Sequence, residues 1–223
     1  MDKLFQKLNI NPNNRELYEI AFSHSSYANE HKKKTDYERL EFLGDAVLEL
    51  VLSDFLYSSL DFNEGKMTKL RSSYVCENAL YRYALDLGLN EYIKVGHGEL
   101  VSGGLYKKTI VADTFESFLG AIYIDLGFEK AKNIILDIIV PYIEDPNINF
   151  FSDYKSILQE AVQTIKKSVI YNLIEESGPP HDKLFTVEVK IDGISYGKGV
   201  ANSKKEAEKE AAKSALELLA RKK

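Results

Sequence analysis

The chain has one cysteine, Cys76, no tryptophan, five prolines and no long apolar run. A single thiol cannot close an internal disulfide or build a multi-thiolate zinc site, and such sparing use suits a reducing cytoplasm. No apolar stretch approaches the ~20 residues that a membrane helix needs, and the opening MDKLFQKLNINPNN lacks the apolar core of a secretory signal. A cytoplasmic protein without a membrane partner is therefore expected. Low-complexity segments are missing too, and 44% hydrophobic with 28% charged residues is ordinary globular composition, which excludes disorder. Positive charge is in deficit, with 29 Lys and Arg against 34 Asp and Glu. Taken over the whole chain, that balance argues against a protein that coats nucleic acid.

The deficit is uneven. Residues 1–150 carry 16 basic against 23 acidic residues, a net of −7, whereas residues 151–223 carry 13 against 11, a net of +2. In 223 residues this asymmetry suggests two domains with different partners. From Arg15 to Ile143 apolar residues recur at helical spacing, interrupted by loop chemistry at Asn11–Asn14, Asp61–Gly65, Gly96–Gly104 and Asp145–Asn149. Pro146 cannot continue a helix, so the division is placed as a helical domain 1–146, a linker 147–152 and a domain 153–223. The second domain reads as a helix at Tyr154–Lys166, strands at Val169–Glu175, Phe185–Ile191 and Ile194–Val200, and a helix at Ser203–Leu219. Asp192-Gly193 is a hairpin signal, Ser203 and Glu206 have capping-box spacing, and Ala207, Ala211, Ala215 and Leu218 form an inward stripe. The expected fold is multidomain, with an all-α domain followed by a small α-β-β-β-α domain of the α+β class.

Two acidic patterns stand out in the helical part. In ERLEFLGDAVLEL, from Glu38, the acids Glu38, Glu41, Asp45 and Glu49 fall within about 80° on a helical wheel. Leu40, Leu43, Val47, Leu50 and Val51 take the other side. Like charges one turn apart repel, so this face is either solvated or holds a cation. In IVADTFESFLGAIYID, from Ile110, Asp113 and Glu116 lie among apolar residues that leave little exposed face. Such carboxylates must be paired to something distant, protonated or metal-bound, and two acids from each of two helices are a known way of holding a hard divalent ion. Phe42 stands at the edge of the acidic face, where solvent is expected unless the ring folds under a neighbouring helix.

Together with HSSYANE from His24, NEGKMTKLRS from Asn63, ADTFESFLGAIYID from Ala112 and DYKSILQEAVQ from Asp153, the ERLEFLGDAVL string resembles bacterial ribonuclease III along essentially the whole chain. The resemblance implies a metal-dependent endoribonuclease domain ending in a double-stranded-RNA-binding domain. It assigns Glu41, Asp45, Asp113 and Glu116 as divalent-metal ligands, with Asp45 and Glu116 also catalytic, and Glu38 and Glu64 as further acids of the cleavage site. It leaves Glu49 solvated. Cys76 has no flanking histidine, and His24, His31, His97 and His181 form no zinc-ligand spacing, which leaves oxygen ligation of Mg²⁺, with Mn²⁺ as a substitute. In the implied two-metal chemistry, one side generates hydroxide while the other stabilises the departing 3′ oxygen. The resemblance further implies a homodimer with Phe42 at its interface, cleavage of both strands to 5′-phosphates and short 3′ overhangs, and processing of ribosomal RNA precursors and other structured transcripts. No small-molecule organic cofactor is expected.

In the second domain, lysines at the start of a helix oppose its dipole unless phosphates dock there; otherwise they form a solvated end. Lys204, Lys205 and Lys209 are the candidates for the RNA backbone, and Gln159, Glu160 and His181 for the minor grooves that A-form RNA presents. His181 lies in a Pro-rich loop, where a histidine is more often a turn residue. Two other functions compete with a nuclease. A non-catalytic dimeric double-stranded-RNA-binding protein predicts loss of a core acid, and none is lost. A phosphohydrolase for small nucleotides leaves the C-terminal domain unexplained.

Overall fold

The computed structural model describes residues 1–145, 148, 150, 154–164, 166–179 and 183–221. They divide into two compact units, Met1–Phe151 and Ser152–Lys223. The first is helical: α1 (Asp2–Lys7), α2 (Arg15–Ala21), α3 (Ser25–Glu30), α4 (Glu38–Ser59), α5 (Glu64–Tyr74), α6 (Glu77–Leu87), α7 (His97–Val101), α8 (Lys108–Leu126) and α9 (Phe128–Glu144). Two of these were not expected. α1, six residues long, is too short to display a period, yet it buries Leu4 and Phe5. α7 and a 3₁₀ turn at Gly104–Tyr106 occupy the Gly96–Gly104 stretch expected as loop, because its glycines punctuate short helical turns rather than dissolve them.

Side-chain caps set several of the starts. Asn14 and Asn63 accept from the backbone N–H groups of Glu16 and Lys66, which fixes the first turns of α2 and α5. The centre of the unit is α8, apolar nearly all round and buried from Ile110 to Ile122 except at Asp113 and Glu116. α4 crosses it in backbone contact. A Cβ on Gly44 would lie 1.8 Å from the carbonyl oxygen of Glu116, and one on Gly120 would lie 2.2 Å from that of Leu40. Only glycine at both positions permits this approach. Leu40, Val47 and Val51 face inward as expected, but Leu50 does not: it is 58% exposed. Its place on the wheel is between the faces, and no helix of this unit covers it.

Phe150, within the stretch expected as linker, packs its ring edge-on against Tyr74 and Tyr83 and tilted against Tyr142. Residues 146, 147, 149 and 151–153 of that stretch and its borders lie outside the described residues.

The second unit runs α10 (Tyr154–Thr164), β1 (Val169–Ser177), β2 (Leu184–Ile191), β3 (Ile194–Ala201) and α11 (Lys204–Arg221), the α-β-β-β-α order expected. The sheet is antiparallel in the order β1-β2-β3. Asp192 and Gly193 both take positive φ, 49° and 80°, the requirement of the tight turn that joins β2 to β3. β2 alternates as read, with Val187, Val189 and Ile191 buried. α11 lies on β3 through its alanines. A Cβ on Gly199 would meet the Ala207 carbonyl at 2.2 Å, and one on Gly197 the Ala211 carbonyl at 2.5 Å. Ala207, Ala211 and Ala215 are fully buried, joined by Ala212, whereas Leu218 is only half-buried. Ser203 accepts from the Glu206 N–H, but the Glu206 carboxylate takes Lys209 as partner, so the capping box forms in one direction. α10 ends at Thr164, two residues short of the reading.

Candidate metal centre and nucleic-acid interface

The glycine crossing of α4 over α8 builds the acidic site. With no side chain between the two backbones, Glu41, one turn before Gly44, meets Asp113 and Glu116 on the facing helix. These three residues offer carboxylate oxygens that all lie within 4.8 Å of one another. All three are half-buried. Among the described residues, no lysine or arginine forms an ion pair with any of them.

The consequence is electrostatic strain. Burial, then the charges of Asp113, Glu38, Asp45 and Asp36, push the Glu41 carboxyl up to about 7. Burial, then Asp45, Glu41, Asp113 and Glu49, push Glu116 up to about 8. Asp113 is also raised by burial, although the Tyr37 hydroxyl and the nearby His24 pull the other way. The phenol of Tyr37 donates to Asp113 Oδ2 at 3.3 Å. A set of oxygen-only donors with unbalanced negative charge fits a hard divalent cation and no soft one.

The other acids stand around this core. Asp45 is exposed one turn beyond Glu41, outside the tight group of three, but its charge acts on both Glu41 and Glu116. Glu38 is exposed at the first turn of α4 and acts on Glu41. Glu49 is exposed, as read, and nevertheless contributes to the field at Glu116. Glu64 opens α5, accepts from Thr68 Oγ1 at 3.1 Å and lines a separate cavity of about 220 Å³ with Ser53, Tyr57 and Arg71. Phe42 is 81% exposed, so it is not folded under a neighbouring helix. Leu50 and Tyr57, 58% and 78% exposed, follow it along the same side of α4. Sequence reasoning missed Tyr37 as a partner of Asp113, since only the fold brings together residues 76 positions apart. It also passed over Gly44 and Gly120, although glycine inside a long helix is itself a sign of close backbone approach.

In the second unit, Gln159 is exposed on α10. His181 and the side chain of Glu160 lie outside the described residues. Lys204 and Lys205 are exposed at the start of α11. Lys204 holds its ammonium 5.5 Å above the Phe185 ring and 3.9 Å from Glu176, which also pairs with Lys183. Lys209, half-buried, pairs with Glu206 at 2.6 Å. Lys155 joins Glu208 at 2.5 Å and so ties α10 to α11.

Comparison with known proteins agrees with both halves of this description. Residues 14–143 match the ribonuclease-III-like family model, and residues 154–219 match the double-stranded RNA binding motif. The chain is 47% identical to ribonuclease 3 of Streptococcus pneumoniae over 91% of its own length and 89% of that protein's. It is 44% identical to ribonuclease 3 of Onion yellows phytoplasma over 98% and 91% of the two lengths. Among solved structures, a nuclease domain of ribonuclease III from Campylobacter jejuni, described for flexibility in a region involved in dimer formation, superposes with a TM-score of 0.59 at 38% identity, covering 62% of this chain and 95% of that one. Among the described residues no helix is long and apolar enough to cross a membrane. A helical unit with an acidic cluster at its central crossing, an α-β-β-β-α unit following it in the sequence, and this identity over nearly the full length have one explanation: the chain belongs to the ribonuclease III family and is a double-stranded-RNA endoribonuclease.

Proposed function

We propose that Glu41, Asp45, Asp113 and Glu116 hold Mg²⁺, with Mn²⁺ able to substitute, and that the chain acts as a homodimer that cuts both strands of an RNA duplex. The observation that carries this reading is the convergence of Glu41, Asp113 and Glu116 oxygens within 4.8 Å at a crossing where, among the described residues, no lysine or arginine pairs with them. Divalent ions supply an activated water and neutralise charge on the phosphoryl and leaving oxygens. The residues do the rest. Glu41 and Asp113 face each other from separate helices and fix the donor set; Asp45 and Glu116 complete it on the reacting side. Glu38 and Glu64 help to place RNA and water.

The dimer rests on the uncovered strip of Phe42, Leu50 and Tyr57, which within one protomer wastes apolar surface beside the acids. Two-fold symmetry matches the antiparallel strands of a duplex, so two identical sites leave 5′-phosphates and short 3′ overhangs. Gln159, Glu160 and His181 reach the minor grooves while Lys204, Lys205 and Lys209 meet phosphates. The division is a catalytic and dimerisation domain over residues 1–146, a linker 147–152 and an RNA-binding domain 153–223. The substrates are ribosomal RNA precursors and other structured transcripts in the cytoplasm.

Incubation with a long RNA duplex, its DNA counterpart and a mononucleotide, with Mg²⁺ or with chelator, tests the reading. Cleavage of the RNA duplex alone, only with Mg²⁺, is expected, and undiminished cleavage in chelator overturns it. Sedimentation of the protein at several concentrations tests the dimer, which a monomer at tens of micromolar would refute.

A further inference from the structure

Among the described residues no lysine or arginine pairs with the carboxylates of the acidic site, but one of them has a neutral partner. Tyr37 is 4% exposed and donates its hydroxyl to Asp113 Oδ2 at 3.3 Å, the one side-chain hydrogen bond that Asp113 receives among the described residues. The same residue starts α4. Its carbonyl accepts from the N–H groups of Leu40 and Glu41, both at 2.9 Å, and its own N–H donates to the Ser23 carbonyl at 3.0 Å. Its ring lies 5.5 Å from that of His24, which closes one side of it. Tyr37 is thus fixed at the backbone and along the ring, leaving only its hydroxyl rotor free to adjust.

Resting on the metal-binding reading above, we propose that Tyr37 is a positioning residue for the divalent ion. By holding Asp113 Oδ2 it commits one carboxylate oxygen to the protein and presents the other to the ion, while its backbone fixes the turn that carries Glu41. Carboxylates that ligate metals are commonly oriented by such hydrogen bonds, and loss of one typically costs 10–100-fold in affinity. Orientation matters here because Asp113 projects from a helix whose neighbouring side chains are packed and cannot shift to compensate.

Direct Mn²⁺ binding to the full chain without RNA, followed by the loss of the free-ion electron paramagnetic resonance signal, tests this in a cycle of Tyr37→Phe, Asp113→Asn and the pair. Phenylalanine keeps the ring and all backbone contacts. The expected result is a roughly tenfold weaker Mn²⁺ dissociation constant for Tyr37→Phe, and no further loss when it is added to Asp113→Asn. An unchanged constant for Tyr37→Phe beside a weakened Asp113→Asn overturns the role of Tyr37 and leaves the metal site standing. An unchanged constant for Asp113→Asn overturns the metal reading of that carboxylate, and the proposal with it. Additive losses mean that Tyr37 acts through some other group and also overturn it. Melting temperatures of the same four proteins separate a merely structural tyrosine, which would move the melting point and leave the Mn²⁺ constant where it is.

Discussion

Replacing Glu116 by glutamine should stabilise the protein that it inactivates. In the metal-free chain, Glu116 sits half-buried among Asp45, Glu41 and Asp113, which drives its carboxyl from an ordinary 4.5 up to about 8. For an isolated group that difference would amount to roughly 5 kcal/mol of folding energy at pH 8, at 1.36 kcal/mol per decade. Water reaches the half-buried site and screens the charges, which reduces the gain to about 2 kcal/mol. The dependence on pH follows from the direction of the displacement. Below pH 4.5 the carboxyl is protonated whether the chain is folded or not, and the substitution changes nothing through this route. Between 4.5 and about 8 the unfolded chain releases a proton that the folded chain keeps, so wild-type stability falls as pH rises while that of Glu116→Gln holds. Thermal melts in chelator at pH 5 and pH 8 read this directly, with an expected advantage of about 4–8 °C at pH 8 that shrinks toward zero at pH 5. Excess Mg²⁺ should reverse the order, because it rescues only the intact donor set, and cleavage by the variant should be absent on a denaturing gel. A variant less stable than wild type at pH 8 in chelator, or equally favoured at both pH values, would refute the electrostatic account.

Three other outcomes follow from the same geometry. Asp45→Asn should abolish cleavage while leaving binding to an RNA duplex within a few-fold of wild type in a filter or gel-shift assay, since Asp45 faces solvent beside the cluster and binding energy comes mainly from phosphate contacts elsewhere. Gly44→Ala should cost about 3 kcal/mol in denaturant unfolding and remove activity, because its Cβ would lie 1.8 Å from the Glu116 carbonyl and force apart the helices that carry the acids. Changing Lys204, Lys205 and Lys209 together to alanine should weaken binding to unrelated duplexes alike; the salt slope should fall by fewer than three phosphate contacts' worth, because Glu176 and Glu206 already engage two of the three ammonium groups.

The sequence was most legible where periodicity is long. The acidic face of α4 and the apolar character of α8 could be read directly, and β2 with its Asp192-Gly193 turn alternates as a half-buried strand must. Leu50 shows the limit of the wheel. An apolar residue at the border of two faces is assigned by its neighbours in space, and nothing in its own helix says that no neighbour comes. α1 and α7 fell below the length at which a period can be seen. The site was half legible for a similar reason. Which acids share a helix is a local property, but which oxygens converge depends on the depth of the helix crossing. That depth is set by Gly44 and Gly120, whose contribution is the absence of a side chain. Asp45 and Glu41 look equivalent on the wheel, yet only Glu41 enters the tight group with Asp113 and Glu116.

The charge distribution carries one more step of argument. Residues 1–150, which include the ribonuclease-III-like match and the acidic cluster, have a net charge of −7, and double-stranded RNA is a polyanion. Unneutralised, the clustered acids repel that polyanion. Two sources of attraction are available: the divalent ions proposed to cancel the cluster locally, and the second unit, whose net charge over residues 151–223 is +2. That second source is modest, because five of its lysines face glutamates of the same unit: Lys155 with Glu208, Lys183 and Lys204 with Glu176, Lys190 with Glu188, and Lys209 with Glu206. Such pairing lowers the unit's net attraction for any polyanion. It also makes recognition depend on shape, since A-form geometry must bring several phosphates into register before enough exposed pairs can exchange a glutamate for a phosphate. If the proposed lysine–phosphate contacts hold, selectivity for a duplex over a single strand resides in the spacing of lysines along helix and sheet, rather than in the total of positive charge.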